Sequence, residues 1–220
     1  MRPYPKKLPA VLLGAVLLAL LVTAGVNNVW RVQPWADGET HGRWTAMYNG
    51  HGRTVGTDQQ VVLEPNAATS ADVTHGSLVH TTETYQDADF EITMKTEEQV
   101  REGSPNVWEV GWVLWNFRDN NHFYAVALKP NGWEISKQDP QYPGSQRFLA
   151  TGEDMKFPIG RDYRVEIEQD WPRMTVSVDG HVLATVTDTE RPYRGGSIGL
   201  YTEDARVRFM DLDVVTEPDN

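Results

Sequence analysis

The chain contains no cysteine. That absence removes disulfide cross-links, thiol nucleophiles, thiolate metal sites and lipid attachment at a cysteine. The fold must therefore be held by core burial and strand pairing, and a domain of this length removes roughly 70% of its unfolded surface from water without staples. Positive charge is also scarce, with 20 Lys and Arg against 31 Asp and Glu and a formal net charge of −11. Three of those bases, Arg2, Lys6 and Lys7, precede a hydrophobic run, so the remainder is more acidic still. An acidic surface repels phosphate backbones and anionic head groups, which argues against nucleic acid as a partner. The six histidines (His41, His51, His75, His80, His122 and His181) include no pair at the i, i+4 spacing of a zinc helix. Neither a Ser-His-Asp elbow nor a phosphate-cradling glycine loop is present, so acyl transfer and nucleotide chemistry have no support. Beyond Trp30 there is no amphipathic stretch long enough for a helix and no internal repeat.

What is present begins with an uncharged run over residues 8–29, richest in Leu, Val and Ala over residues 10–26. It fits an export signal or one membrane helix. Val22-Thr23-Ala24 would suit cleavage after Ala24. The run is long for a signal core, and the basic residues before it favour an N-in, C-out anchor. Residues 1–30 therefore read as a signal peptide or single membrane anchor, and residues 31–220 as one β domain on the extracytoplasmic face of the membrane, anchored or secreted.

Period-two alternation recurs through that domain. Phe90, Ile92 and Met94 alternate with Asp89, Glu91 and Thr93; Tyr163, Val165 and Ile167 alternate with Arg164, Glu166 and Glu168; Met174, Val176 and Val178 alternate with Thr175 and Ser177. Each pattern is that of a strand buried on one face. Asp179-Gly180 separates residues 174–178 from 181–187 and predicts a two-residue hairpin turn. Asn131-Gly132 and Asp119-Asn120-Asn121 link residues 107–117, 123–128 and 133–137 into a three-stranded meander, while residues 66–76 and 139–144 read as longer loops. About a dozen short strands between such turns predict an all-β antiparallel two-sheet sandwich after one N-terminal hydrophobic helix.

The segment Gly111-Trp-Val-Leu-Trp-Asn-Phe-Arg-Asp-Asn-Asn-His-Phe-Tyr-Ala-Val, with Asn131-Gly132-Trp133, Tyr163-Arg-Val-Glu-Ile, Val178-Asp-Gly-His and Ile198-Gly-Leu-Tyr, resembles the concanavalin A-like jelly-roll superfamily. Its nearest flavours are laminin G-like, 3-keto-disaccharide hydrolase-like and family-16-related envelope domains, over residues 87–215. The resemblance implies a jelly roll with a carbohydrate-binding surface on a concave sheet, and in some relatives glycoside cleavage. Family-16 glycosidases carry Glu-x-Asp-x-(x)-Glu on one strand, and this chain has no such motif. The nearest imitation is Glu166-Ile-Glu-Gln-Asp170, in which Glu166, Glu168 and Asp170 share one strand face. In a chain so rich in acids, a solvated face explains that triplet better than a catalytic pair, and Asp89 with Glu91 and Asp211 with Asp213 read the same way. Many jelly-roll relatives hold one structural calcium, and Asp211 resembles one of its ligands; no other cofactor is implied.

Residues 107–117 are the most informative, because both strand faces are apolar. One carries Trp108, Val110, Trp112, Leu114 and Asn116; the other carries Gly111, Val113, Trp115 and Phe117. A central strand with its second face beneath a loop would explain this. The family alternation would instead place Val113 and Trp115 in the core and offer Trp108, Trp112 and Asn116 to a ligand, with His122 and Lys137 at the rim. Indole faces stack on sugar C–H surfaces and an amide orders hydroxyls, so a glycan groove fits. An envelope-protein partner fits the same patch, since Trp and Tyr anchor interfaces. The reading is thus a non-catalytic, carbohydrate-binding-like domain tethered by its N-terminal helix, with an interaction subunit of an envelope complex and a divergent glycoside hydrolase as alternatives.

Overall fold

The computed structural model describes residues 33–216, and the hydrophobic run expected to be an anchor or signal lies outside them. Fifteen strands and no helix are assigned among the described residues: β1 Thr40–His41, β2 Trp44–Tyr48, β3 Arg53–Gly56, β4 Gln60–Glu64, β5 Gly76–Thr81, β6 Ala88–Gln99, β7 Gly111–Asp119, β8 His122–Lys129, β9 Gly132–Gln138, β10 Gln146–Gly152, β11 Tyr163–Asp170, β12 Arg173–Val178, β13 His181–Thr187, β14 Ser197–Glu203 and β15 Ala205–Thr216. No helix among these residues is long and apolar enough to cross a membrane. The strands form an eight-stranded sheet in the order β1-β2-β5-β14-β7-β8-β9-β10 and a seven-stranded sheet in the order β13-β12-β11-β6-β15-β4-β3. Every pairing between them is antiparallel.

The expected alternation becomes the core. Phe90, Ile92 and Met94 from β6, Val165 and Ile167 from β11, and Val176 and Val178 from β12 meet Val113 and Trp115 from β7, Tyr124 and Val126 from β8, and Leu200 from β14 in one cluster between the sheets. The hairpin at Asp179-Gly180 forms as its sequence requires, with φ of 50° and 76° at its two central residues. The β8–β9 turn departs from expectation by one residue. Lys129 pairs with Gly132, so the turn centres on Pro130-Asn131 and Gly132 is already in the strand. Glycine is needed there for another reason: a Cβ on Gly132 would lie 2.1 Å from the Gly152 carbonyl oxygen.

The two sheets are closed by the last two strands. β14 is inserted between β5 and β7 of one sheet, and β15 between β4 and β6 of the other. A single residue, Asp204, makes the corner between them, with φ of 43° and no exposed surface. Its carboxylate accepts from the backbone N–H of Ala68 at 3.2 Å and of His75 at 3.3 Å, and from Arg101 Nη2 at 2.7 Å. Arg101 also donates from Nε to Glu109 and from Nη1 to the carbonyls of Ser70 (2.7 Å) and Val73 (3.1 Å), which fastens the 65–75 loop to the corner. Glu109 is fully buried, and its Oε2 has no hydrogen-bond partner among the described residues. Removing one partner from a buried ion cluster leaves uncompensated charge in low dielectric. Arg101→Ala should lower unfolding free energy by about 3–5 kcal/mol in urea titration, whereas Arg53→Ala, which truncates an exposed pair with Glu64, should cost under about 1 kcal/mol.

Candidate functional site

Alternate residues of a strand point to opposite faces, and β7 uses both. While Val113 and Trp115 enter the core between the sheets, Trp112 and Leu114 join Leu78, Val110, Phe117, Ala125 and Ala127 in a second apolar cluster on the outer face of the eight-stranded sheet. Met47, Tyr48, Phe123 and Tyr201 pack against it. This second cluster floors a cleft of about 220 Å³, with Tyr48 of β2 on one side, Phe123, Ser136, Gln138 and Gln146 of β8 to β10 on the other, and Glu203 among the lining residues. The Tyr48 hydroxyl lies 3.4 Å from Asn120 Oδ1. The rings of Trp112 and Tyr201 meet at 78° with centroids 6.1 Å apart, and the indole N–H of Trp112 donates to the Trp108 carbonyl at 3.1 Å.

The five residues expected at a ligand surface do not all converge. Trp112 lines the cleft, and Trp108 sits in the turn before β7 with 45% of its surface exposed. Asn116 lies where the β7 register breaks against both neighbours, at φ 48°. A bulge there resets the alternation, so Phe117 takes the outer position expected for Asn116, and the Asn116 amide donates to the Tyr193 carbonyl at 3.1 Å. His122 is partly exposed beside Asp119 (2.8 Å) and edge-on to Tyr193. It shares a strand face with the core residues Tyr124 and Val126, opposite Phe123.

Lys137 is far from a rim. It is fully buried, because it follows Trp133 and Ile135 on the inner face of β9. Its ammonium is 2.7 Å from Asp188 Oδ2 and donates at 2.7 Å to each of the Glu190 and Arg191 carbonyls, 4.3 Å from the Tyr193 ring centre. Tyr124 donates to the same Asp188 oxygen at 2.8 Å. This cluster pins the segment of residues 188–196, which carries the chain from one sheet to the other, and it leaves the cleft's own polar groups to Ser136, Gln138 and Gln146 on the opposite face of the same strands.

Glu166, Glu168 and Asp170 stand on the outer face of β11 in the other sheet, the last two exposed. Arg164 lies between Glu166 (3.3 Å) and Glu91. They line none of the cleft described above. Asp211 is exposed at a bulge in β15, with φ of 56° and its N–H on the Gln59 carbonyl. Among the described residues no group of three or more His, Asp or Glu side chains is placed to hold a metal ion.

The acid that does line the cleft is Glu203, which pattern reading passed over because one carboxylate at the end of a strand carries no motif. Burial pushes its carboxyl above the usual carboxylate range. The hydrogen bond from the Tyr201 hydroxyl (2.8 Å) opposes that shift, while the charges of Asp204 and Glu109 reinforce it against Arg101. Tyr48 is pushed up to about 12 by burial and by Glu203, and Tyr201 is raised as well, so both phenols are neutral.

The aromatic-floored cleft, with amides along one wall, thus lies on the outer face of an antiparallel two-sheet sandwich. The chain belongs to the family of 3-keto-alpha-glucoside-1,2-lyase-like domains, whose family model matches residues 31–215. Among solved structures it is similar to the carbohydrate binding module CBM66 from Bacillus subtilis, with a TM-score of 0.61 and 14% identity over 83% of this chain and 100% of that one. It is also similar to the exoplasmic/lumenal domain of VIP36 in its Ca2+/Man3GlcNAc-bound form, with a TM-score of 0.56 and 16% identity over 83% of this chain and 86% of that one. No curated protein matches the chain.

Acid should loosen the Lys137 cluster. Burial acts to raise the Asp188 carboxyl, but hydrogen bonds from Lys137, the Glu190 N–H and Tyr124 outweigh it, so its folded pKa lies below the ordinary value. A depressed carboxylate contributes stability above its unfolded pKa of about 3.9 and loses it as pH falls through the folded value. Thermal unfolding followed from pH 6 down to pH 2 should therefore show a steeper loss for the natural chain than for Asp188→Asn, which starts lower and has one such carboxylate fewer.

Proposed function

We propose that the chain is a carbohydrate-binding domain that takes a glycan in the outer-face cleft. The observation that carries this reading is the lining itself: Trp112, Tyr201, Tyr48 and Phe123 beside Ser136, Gln138 and Gln146, in a space of about 220 Å³. Apolar ring faces stack on sugar C–H surfaces, and a few placed amides and hydroxyls bind the hydroxyl groups. The named ligand of the VIP36 domain and the module name of CBM66 support the same class of ligand. Of the residues expected from sequence, Trp112 belongs to this surface and Trp108 to its flank; Asn116, His122 and Lys137 act by positioning the strands around it. The domain faces the outside of the cell, held there by the hydrophobic residues 8–29 or released after their cleavage. The Ca2+-bound form named for the VIP36 domain supports a structural calcium beside this reading, for which Asp211 is the exposed carboxylate expected from sequence.

A second reading, in which the domain acts on its sugar, is favoured by Glu203. The family's description names a 1,2-lyase acting on 3-keto-alpha-glucosides. In such a sugar the C2–H is acidified by the neighbouring ketone. A base that takes this proton leaves the C2–H electron pair to form the C1=C2 bond of an enone as the C1–O bond breaks and its oxygen departs as the alcohol, taking up a proton, and a carboxylate of raised pKa is suited to the role of base. If this reading holds, the full chain consumes a 3-keto-glucoside and Glu203→Gln loses at least about 100-fold in rate.

The binding reading is tested by a glycan array with the full chain, followed by titration of any positive sugar. Trp112→Ala and Gln138→Ala should each weaken binding about tenfold or more, the equivalent of about 1.4 kcal/mol, with unchanged circular dichroism. Absence of any bound glycan from a broad array would remove the reading and leave an envelope-protein partner for the same surface.

A further inference from the structure

We propose that the glycan taken by this cleft carries a free ammonium group, so that its preferred ligands are de-N-acetylated hexosamines rather than neutral or anionic sugars. The proposal rests on the glycan-binding reading and specifies it. Of the eleven residues that line the cleft, Glu203 is the one charged side chain, and there is no Lys, Arg or His. Its only hydrogen bond among the described residues is the one Tyr201 donates to Oε1, and no described basic group pairs with it. The nearest candidate, Arg101, is already committed to Glu109, Asp204 and the carbonyls of Ser70 and Val73. Ionised, Glu109 and Asp204 contribute two negative charges against one positive on Arg101, and Glu203 adds a further negative charge in front of them. The field at that end of the cleft is therefore negative and uncompensated.

A neutral sugar gains only hydroxyl hydrogen bonds from such a carboxylate, and a uronic or phosphorylated sugar is repelled by its field. An ammonium gains twice. It pairs with a carboxylate that burial has deprived of water, and it lies against electron-rich ring faces, which attract cations. The walls suit this, since Trp112 and Tyr201 stand at 78° to one another and Tyr48 is neutral beside them. Ser136, Gln138 and Gln146, across the cleft, are then left for hydroxyl groups of the same ring or its neighbour.

The test is calorimetric titration of the full chain at pH 6 with four tetrasaccharides: glucosamine, N-acetylglucosamine, β-1,4-glucose and galacturonic acid. The glucosamine tetramer should bind about tenfold or more tightly than the N-acetylated and neutral ones, with the uronate weakest, as expected for one charge-assisted contact. Glu203→Gln should reduce that preference to under about threefold, with an unchanged circular dichroism spectrum showing that the variant is folded. Glu168→Gln, an exposed acid on the other sheet, should change nothing, which separates a specific contact from general attraction to an acidic protein. Equal binding of glucosamine and glucose tetramers, or a preference that survives Glu203→Gln or is lost equally in Glu168→Gln, overturns the inference and leaves glycan binding standing. Binding of none of the four overturns the inference, and the broad array decides the glycan-binding reading separately.

Discussion

The rest of the structure depends on one buried corner, where Asp204 turns the chain from the middle of one sheet into the middle of the other. β14 and β15 each complete their sheet by pairing on both edges, so neither sheet is continuous until the C-terminal strands arrive. A left-handed residue with a buried carboxylate is costly on its own. Arg101, Ala68 and His75 offset that cost by saturating the carboxylate, and the same guanidinium holds the 65–75 loop and Glu109. The contacts join positions more than a hundred residues apart, so the corner forms only with the whole fold.

The chemistry of the cleft follows from that corner. Glu203 is the last residue of β14, directly before the turn, and it inherits the field of the carboxylates placed there to make the turn. An acid held among aromatic rings, with its nearest base already engaged, is available either to a cation or to a proton on carbon. Both readings of the cleft begin from this shortage of compensating charge. At the opposite end of the sheet the arrangement is reversed: the buried Lys137 has its charge met by Asp188 and its remaining donors by carbonyls, and no capacity for a ligand is left.

The comparison between β7 and β9 shows why one face serves the core and the other lines the cleft. In β7 both faces are apolar, and the outer one is covered by Tyr48, Tyr201 and Phe123 rather than by a loop. In β9 the inner face carries Trp133, Ile135 and Lys137 while the outer face offers Ser136 and Gln138. A lysine at an inner position is tolerated because the segment of residues 188–196 crosses the gap at that point with acceptors facing inward.

Strand alternation, the Asp179-Gly180 turn, the all-β class and the jelly-roll resemblance were legible in the sequence, because period-two burial and αL turn residues are local rules that each residue reports by its own type. The doubly apolar character of residues 107–117 was legible in the same way, as was the placement of Val113 and Trp115 in the core. What covers the second face was not, since Tyr48 and Tyr201 arrive from distant strands. The bulge at Asn116 exchanged its role with Phe117, and a one-residue register change leaves no mark in composition. Lys137 looked like a rim residue because lysine is rarely buried, and only the distant Asp188 makes its burial favourable. Glu203 had no motif at all. Its distinction is a position beside Asp204, Glu109 and Arg101, and electrostatic environment depends on distance through space, which chain order alone does not determine.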